Sequence, residues 1–312
     1  AQVHLAPTTR QKVRGHLEGH LIPAFDSMRL ASIQPRHVRD WIAQMSDTGR
    51  SPTTIGGIAS TLRRIMNTAV RDNVLGHSPC DGVELPRNGP AAEIQVITPA
   101  EIVRLASAIH PRYEAAIYLA AYGGLRWGEL AALRPERLDL RRGSIEVRES
   151  LADVSGALIT QPPKSGKGRS VGLPRFLCDI LNNHLGKFSS DDYMFTSPMG
   201  EPLRRSNWYR RDFKPAVVAA GINPGFRFHD LRHTCAALAI AQGAHPKAVQ
   251  ERLGHASIRL TLDTYGHLMP GLDEQLRDDL DQAHFKALAA CTRPEGEKVV
   301  PFKPRKTEEP PA

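Results

Sequence analysis

The hydrophobic pattern of the chain changes its period once, and this change limits the folds that the sequence can adopt. Through most of the chain, apolar residues recur every three or four positions, as they do on one face of an α-helix. Apolar and polar residues instead alternate in Ser144–Arg148 and in Arg169–Leu173, and Ala157–Thr160 is also typical of a strand. The sequence therefore predicts a mainly α protein with a small antiparallel β-sheet, an α+β fold.

Length and charge narrow the function of the chain. With 312 residues it is long enough for two domains that each bury a core. Lysine and arginine number 41 against 33 acidic residues, and the net charge of +8 favours a polyanionic partner, nucleic acid before a membrane surface. No apolar run approaches the roughly 20 residues of a membrane span. Nucleic acid is the partner that we expect, and a membrane is not.

The cysteines are far apart in the chain, at Cys80, Cys178, Cys235 and Cys291. No C-x-x-C pair occurs, which argues against both a zinc ribbon and a disulfide framework. Reduced thiols are typical of the cytoplasm, and this is the localisation that we expect.

Periodicity and composition divide the chain into four predicted segments. The first is helical and the third combines helices with the strands, while the proline, glycine and small residues between them are typical of a linker. The last segment is rich in proline and charge and is expected to be disordered. The segments are a helical domain at 1–86, a linker at 87–97, a second domain at 98–290 and a tail at 291–312.

The predicted helices of the first domain leave basic side chains outside their apolar faces. The first helix is predicted to end at Pro23, the second begins at Pro35, and Ser51 begins the third. The basic residues either contact a phosphate backbone or form a solvated face, and the segment by itself favours neither. They are Lys12, Arg14, Arg50, Arg63, Arg64 and Arg71.

A glycine turn in the second domain, Gly123-Gly124, leads into a short predicted helix that begins at Arg126. Arg126 and Glu129 are three residues apart, so their side chains share one face of that helix. In isolation, this spacing also fits an ordinary surface ion pair.

The predicted strands are joined by a basic, glycine-bearing turn that holds Lys164, Lys167 and Arg169. A hairpin tip of this kind reaches into a nucleic-acid groove, or it is an exposed turn made soluble by its lysines. The order of its residues does not match that of a phosphate-binding P-loop. A later predicted helix begins with two further basic residues, Arg204 and Arg205.

Three polar residues, His229, Arg232 and His233, share one face at the beginning of another predicted helix. The free N–H groups and the positive dipole end of a helix N-terminus suit an anion. The spacing of His229, Asp230 and His233 also resembles the H-E-x-x-H zinc motif, although Arg232 would repel a metal dication. A capped core helix with polar first residues is the third interpretation.

Tyr265 is a candidate nucleophile that follows His255, after a short helix ended by Gly254. A phenol has a pKa of about 10 and attacks at neutral pH only where cations and a base stabilise its oxygen. The arginines, lysines and histidines named above are candidates for these groups. Beyond Tyr265, an amphipathic helix at 268–290 needs a partner in its own domain or in a neighbouring protomer.

In this order, the segments resemble the catalytic domain of the tyrosine recombinases, the phage integrase family. The first conserved box of that family is similar to Gly124-Leu125-Arg126-x-Gly128-Glu129-Leu130. The second is similar to His229-x-x-Arg232-His233 followed by Leu253-Gly254-His255 and Tyr265, and Lys164 matches the family's lysine between the boxes. The resemblance covers residues 98–290, while residues 1–86 resemble the core-binding domain in shape and position.

The resemblance implies a site-specific recombinase that integrates or excises a phage or mobile element. Tyr265 would attack a DNA phosphodiester and form a 3′-phosphotyrosyl link. Arg126 and Arg232 would bind the non-bridging oxygens, on which negative charge grows in the transition state. Glu129 would orient Arg126 or its helix, and His233 is expected to support the site in a similar way.

The remaining roles concern protons and DNA contacts. His229 would accept the proton of the tyrosine, and His255 would hydrogen-bond the phosphate. Lys164 would donate a proton to the departing 5′-hydroxyl, with Lys167 as its alternative. Because the energy of the phosphodiester is retained in the tyrosyl ester, neither a metal nor a cofactor is expected. The basic residues of the first domain are predicted to contact DNA, together with Lys167, Arg169, Arg204 and Arg205.

The implied partner is double-stranded DNA with attachment-type core sites. It would be bound by a homo-tetramer assembled through the helix at 268–290. A host DNA-bending protein and an excisionase are candidate accessory partners. The start at Ala1 rather than Met suits a chain from which an N-terminal arm-binding domain is missing.

Other functions share part of this pattern. A chromosome-resolving recombinase of the Xer kind or a transposon integrase would use the same chemistry, and a topoisomerase of the IB kind would relax one duplex. A DNA-binding regulator without catalysis and a zinc hydrolase built on His229 and His233 belong to other classes. A covalent adduct with DNA separates a recombinase from both of these.

Overall fold

The computed structural model describes residues 5–89, 93–188, 190, 192–268 and 272–291. These residues form mostly α-helices together with short antiparallel strands, so the predicted α+β fold is confirmed. The chain divides into two compact units, Ala1–Thr264 and Tyr265–Ala312.

The helices are α1 (Pro7–His16), α2 (Ile22–Phe25), α3 (Pro35–Asp47), α4 (Pro52–Arg71), α5 (Pro99–Ala108), α6 (Glu114–Gly123), α7 (Trp127–Ala131), α8 (Arg175–Lys187), α9 (Arg205–Trp208), α10 (Lys214–Ala219), α11 (Phe228–Ala241), α12 (Pro246–Leu253), α13 (Ile258–Tyr265) and α14 (Leu272–Cys291). The strands are β1 (Leu138–Asp139), β2 (Ser144–Val147), β3 (Ser150–Val154), β4 (Ala157–Gln161) and β5 (Arg169–Gly172).

Helices α1–α4 enclose a small core of their own. The apolar residues of α3, from Val38 to Met45, are buried together with those of α4. As predicted, Pro35 begins α3 and Ser51 precedes α4, which it caps by accepting a hydrogen bond from the Thr54 N–H. The local start signals of these two helices are therefore sufficient to place them.

Two prolines lie inside helical segments, and each follows a π-helical turn. The prediction that Pro23 ends the first helix is wrong, because α1 continues through the π turn Leu17–Leu21 into α2, where Pro23 lies in the first turn. Pro215 follows the π turn Tyr209–Phe213 in the same way. A π turn pairs a carbonyl with the N–H five residues later instead of four, so it avoids the hydrogen bond that proline cannot donate.

Helix α6 lies at the centre of the second, larger core. Its residues are almost all buried, and α5, α8 and α11 pack around it. It ends at Gly124, whose φ of +69° lies in the left-handed region. A Cβ on Gly124 would lie 2.7 Å from Leu253 Cδ2 and 3.1 Å from Cys235 Sγ, so the packing of α11 and α12 also leaves little room for a side chain.

The strands form two sheets rather than the single predicted sheet. Strands β1, β2 and β5 make one antiparallel sheet, in which Ile145 pairs with Val171. Strands β3 and β4 make a separate hairpin, whose Ser155-Gly156 turn has positive φ at both residues, as tight two-residue hairpins require. Because β4 pairs with β3, Lys164 and Lys167 lie in the connection from β4 to β5 and not at a hairpin tip, contrary to the prediction.

Helix α14 lies in the second compact unit. Residues 269–271 and the predicted tail beyond Cys291 lie outside the described residues. Among its described side chains, Leu280, Phe285 and Leu288 are apolar and exposed. Within the part of the chain that the structure describes, no helix has the length and apolar character needed to cross a membrane.

Candidate active site

Arg126 and Glu129 lie at the beginning of α7, where they fix each other's position. Arg126 is the N-cap residue, and the Glu129 carboxylate accepts hydrogen bonds from its N–H and from its Nη1, both at 2.9 Å. The side chain of Glu129 is 1% exposed, while that of Arg126 is 23% exposed. The pair is therefore not an ordinary surface ion pair, because its acid is buried.

The C-terminal end of α12 gathers three arginines. The last carbonyls of a helix have no partner within it, and they form the negative end of the helix dipole. Here three consecutive carbonyls each accept a hydrogen bond from a different guanidinium. The pairs are Arg169 Nε with Arg252 O at 3.0 Å, Arg232 Nη2 with Leu253 O, and Arg126 Nη2 with Gly254 O at 3.3 Å.

Arg232 is the fifth residue of α11 and is buried, with an exposed fraction of 2%. Besides the carbonyl of Leu253, it donates a hydrogen bond to the carbonyl of Gly124, the residue that ends α6. A buried charge is costly unless such partners satisfy it. The guanidinium is therefore held at the point where the ends of α6 and α12 meet the beginning of α11.

The acid between the two histidines of α11, Asp230, is engaged elsewhere. Its carboxylate accepts hydrogen bonds from the N–H of Arg227 at 2.7 Å and from the Arg227 guanidinium at 2.8 Å, and it thereby caps α11. His229 and His233 lie edge to face, with ring centroids 5.0 Å apart. Among the described residues, no group of three His, Cys, Asp or Glu side chains is arranged to hold a metal ion.

The two histidines predicted to act at a phosphate are neutral at pH 7. Desolvation, followed by the charges of protonated His233 and of Arg232, lowers the pKa of His229 from 6.5 to about 4, although the residue is exposed at the surface. Desolvation and the charges of Arg232 and Arg126 likewise lower the pKa of His255 to about 4. A neutral imidazole can accept a proton, which His229 must do in its predicted role.

His255 follows the end of α12 directly, and its Nδ1 lies 2.9 Å from the Oγ1 of Thr261. Thr261 is fully buried in α13, a helix that the sequence pattern did not indicate. Tyr265 is the last residue of α13, and 1% of its surface is exposed. One hydrogen bond therefore joins His255 to the helix that carries the candidate nucleophile.

The other predicted residues differ in their surroundings. Lys164 and Lys167 are exposed in the β4–β5 connection, and no described contact joins them to the arginines at the end of α12. Arg169 is one of the predicted DNA contacts, but its side chain is only 9% exposed and both of its Nη atoms bind the Glu129 carboxylate. The remaining predicted DNA contacts are all exposed, namely Lys12, Arg14, Arg50, Arg63, Arg64, Arg71, Lys167, Arg204 and Arg205.

Comparison with protein families identifies the chain. Residues 95–270 match the phage integrase family, and residues 1–46 match the N-terminal SAM-like domain of phage integrases. The chain belongs to the phage integrase family. The first match includes every residue from Arg126 to Tyr265, so the resemblance expected from the two boxes is confirmed.

The chain is also similar to individual integrases. It is 32% identical over 278 residues to the "Putative prophage phiRv2 integrase" of Mycobacterium tuberculosis, covering 86% of this chain and 72% of the relative. It is 28% identical to the ICEBs1 integrase of Bacillus subtilis, covering 90% of this chain and 79% of the relative. The chain is accordingly a tyrosine-type site-specific recombinase. This conclusion sets aside two alternatives, the regulator without catalysis and the zinc hydrolase.

Solved structures share the fold of the recombinase. The Tn1549 transposon integrase in complex with transposon right end DNA has a TM-score of 0.75 and 20% identity, covering 92% of this chain and 96% of that chain. A lambda integrase tetramer bound to a Holliday junction has a TM-score of 0.64 and 18% identity, covering 83% of this chain and 72% of that chain. At such identities, the likeness shows the fold alone.

Proposed function

We propose that this recombinase integrates and excises a mobile DNA element by cutting duplex DNA through a 3′-phosphotyrosyl intermediate on Tyr265. Its substrate is double-stranded DNA with attachment-type core sites, in the cytoplasm of a bacterial cell. The names of its prophage and ICEBs1 relatives support integration over chromosome-dimer resolution. A host bending protein and an excisionase remain proposed accessory partners.

One observation supports this chemistry above the others. The end of α12 fixes Arg126 and Arg232 through adjacent carbonyls before any substrate is bound. In the complex with DNA, two guanidinium groups held side by side stabilise a pentavalent phosphate as its charge grows. Since Arg232 and Tyr265 are both buried, we propose that DNA binding is accompanied by a rearrangement that exposes them.

The proposed step forms a bond from Tyr265 Oη to phosphorus and breaks the bond from phosphorus to the 5′ oxygen. The phenolic proton passes to His229, whose imidazole the lowered pKa of about 4 keeps neutral in the free chain; the negative charge of a bound phosphate raises that pKa and so strengthens the base. The departing 5′ oxygen takes a proton from Lys164, or from Lys167 in the alternative assignment. In strand exchange, the 5′-hydroxyl of a second strand attacks phosphorus and the tyrosine leaves.

The surrounding residues have supporting roles in this proposal. His255 hydrogen-bonds the phosphate, and Glu129 and His233 orient the groups beside them. Residues 1–86 and 98–290 form two domains joined by the linker at 87–97, and the exposed basic residues contact the DNA backbone. The separate hydrophobic cores of α1–α4 and of the helices around α6 support this division.

We further propose a homo-tetramer joined through α14. An open cavity of about 570 Å³ is bordered by α6, α11 and α12, and its mostly apolar lining includes Ala121, Leu238 and Val249. The exposed Leu280 and Phe285 of α14 suit such a cavity on a neighbouring copy, because apolar patches of this kind are typical of interaction sites.

Covalent capture of DNA tests the proposed chemistry. In a library of nicked duplexes, cleavage next to the nick releases a short fragment, so that the adduct accumulates and survives denaturation. We expect an adduct with the wild-type chain and none with Tyr265→Phe, which retains the ring and lacks the hydroxyl. Tyr118→Phe, which removes a partly buried phenol of α6, is the matched control and should retain the adduct.

Two outcomes would contradict the proposal. One is an adduct that persists in Tyr265→Phe, and the other is the absence of an adduct when the wild-type chain binds the DNA. The captured sequence then supplies duplexes for a second assay. Transfer of a strand between two duplexes distinguishes a recombinase from a topoisomerase of the IB kind, which only relaxes one.

A further inference from the structure

Arg169 occupies a position that the proposed chemistry does not use. It is the first residue of β5, and its guanidinium forms two parallel bonds to the Glu129 carboxylate, Nη1 to Oε1 at 3.0 Å and Nη2 to Oε2 at 2.8 Å. Its Nε donates to the carbonyl of Arg252 at 3.0 Å. This fork arrangement uses N–H donors along the edges of the planar guanidinium, and a lysine cannot reproduce it.

The Glu129 carboxylate is shared by two cations. Arg126 reaches it through one Nη and the backbone N–H, and Arg169 reaches it through both Nη atoms. Because the carboxylate carries one charge, the three side chains together retain one positive charge. If Arg169 were absent, Glu129 would neutralise Arg126 instead.

We propose that Arg169 is a positioning residue for the cleavage reaction: it neutralises Glu129 so that Arg126 keeps its positive charge for the scissile phosphate. It also fixes the position of Arg126 relative to His255, since both arginines bind carbonyls of residues 252–254, immediately before that histidine. This inference rests on the function proposed above and adds a residue to it. Neither conserved box contains Arg169.

The electrostatic surroundings of Glu129 agree with this role. Burial raises its pKa, but the hydrogen bond and charge of Arg169, followed by those of Arg126, lower it to about 2. These two guanidinium groups are the ones that lower the pKa of the carboxylate, and His255 lies beyond them. Four other charged residues border a small pocket beside Glu129, namely Arg137, Glu146, Arg148 and Glu149. Removing Arg169 leaves the burial in place, so the pKa of Glu129 rises.

The decisive test is a second-site rescue. We expect Arg169→Met to slow single-turnover cleavage about 100-fold, as the loss of one electrostatic stabiliser does. The double variant Glu129→Gln with Arg169→Met should recover at least about tenfold of this loss, because the amide no longer neutralises Arg126. Arg169→Lys, which retains the charge without the fork, should lie between wild type and Arg169→Met.

A pH profile separates this role from a purely structural one. As the pH falls, Glu129 becomes protonated in Arg169→Met, so the rate advantage of the double variant over the single variant should shrink. His229 and His255 are common to both variants, so their titration cancels in the ratio. Rates are compared at a temperature at which each variant is folded by circular dichroism.

Arg142→Met is the control, because Arg142 is an exposed arginine paired with Asp139 in a turn, and it should cleave as the wild type does. Wild-type cleavage in Arg169→Met, or a double variant no faster than the single one at any pH, would overturn the inference. Absence of an adduct in the wild type would instead overturn the proposed function itself. The two failures are therefore distinguishable.

Discussion

The Nδ1 of His255 and the Oγ1 of Thr261, 2.9 Å apart, join the turn after α12 to helix α13. When the hydroxyl donates to Nδ1, the ring proton is on Nε2, which is the tautomer that can donate to a phosphate oxygen. We expect Thr261→Val, which removes only this hydrogen bond, to slow cleavage about tenfold while DNA affinity is unchanged. Thr261→Ser retains the hydroxyl and is the control. Wild-type cleavage in Thr261→Val would contradict this role.

Gly254 and Gly243 both follow helices with a positive φ, +64° and +74°, but only Gly254 is crowded. A Cβ on Gly254 would lie 2.9 Å from Arg169 Cδ, whereas no atom lies within 4 Å of one on Gly243. Alanine costs about 1–2 kcal/mol in this conformation at either site. We expect Gly254→Ala to lower the Tm further and to slow cleavage, and Gly243→Ala to affect the Tm alone. Equal effects on the Tm would show that the contact with Arg169 contributes nothing.

Substitution of the two arginines should separate chemistry from folding. Arg126→Ala should slow cleavage at least about 100-fold, with a small change in Tm, because Arg169 still neutralises Glu129. Arg232→Ala should also lower the Tm, since it leaves the buried carbonyls of Gly124 and Leu253 without a donor, at about 1–3 kcal/mol each. Covalent capture measures cleavage and fluorescence anisotropy measures binding. Loss of binding as large as the loss of cleavage would contradict the assigned roles.

Stability should fall as the pH falls from about 6.5 to about 4. His229 and His255, whose pKa is lowered from 6.5 to about 4, bind fewer protons in the folded chain than in the unfolded chain across this window. The free energy of unfolding is therefore greatest above the window and is lost as the pH decreases through it. Urea denaturation across this pH range measures the free energy of unfolding. Its slope against pH should be shallower for the double variant with His229→Gln and His255→Gln than for the wild type. An unchanged slope would contradict the shifts, and His77→Gln, an exposed histidine, is the control.

The proposed tetramer depends on the apolar residues of α14. Phe285→Asp places a charge on a side chain that is 66% exposed, so the folded chain should tolerate it. We expect the variant to bind and cut a single site but to assemble far fewer tetramers on DNA, as measured by mass photometry. Met199→Asp, at an apolar residue that is 86% exposed in a turn, is the control. Normal tetramer formation by Phe285→Asp would exclude α14 as the connection.

Local sequence is sufficient for the elements whose causes lie within a few residues. The apolar spacing of α3, the glycine after α12 and the Ser51 cap of α4 act over one helical turn, and each is found where it is predicted. The resemblance of the two boxes to those of the family also implies that Arg126 and Arg232 belong to one site. Local sequence does not reveal that the helix continues past Pro23, since an i→i+5 turn leaves no signature in the apolar pattern. It also does not indicate strand β3.

The sequence by itself determined the family, the α+β composition and the residues that carry the boxes, because these depend on residue type and on short spacing. Only the tertiary structure decided that Arg169 meets Glu129, 40 residues away, and that three arginines donate hydrogen bonds to consecutive carbonyls at the end of α12 and its cap, Gly254. A period of two or of 3.6 residues tells which side chains share a face, but not what packs against that face. Desolvation and charge pairing depend on that packing, so the surroundings of Glu129 and the lowered pKa values of the histidines are properties of the folded chain.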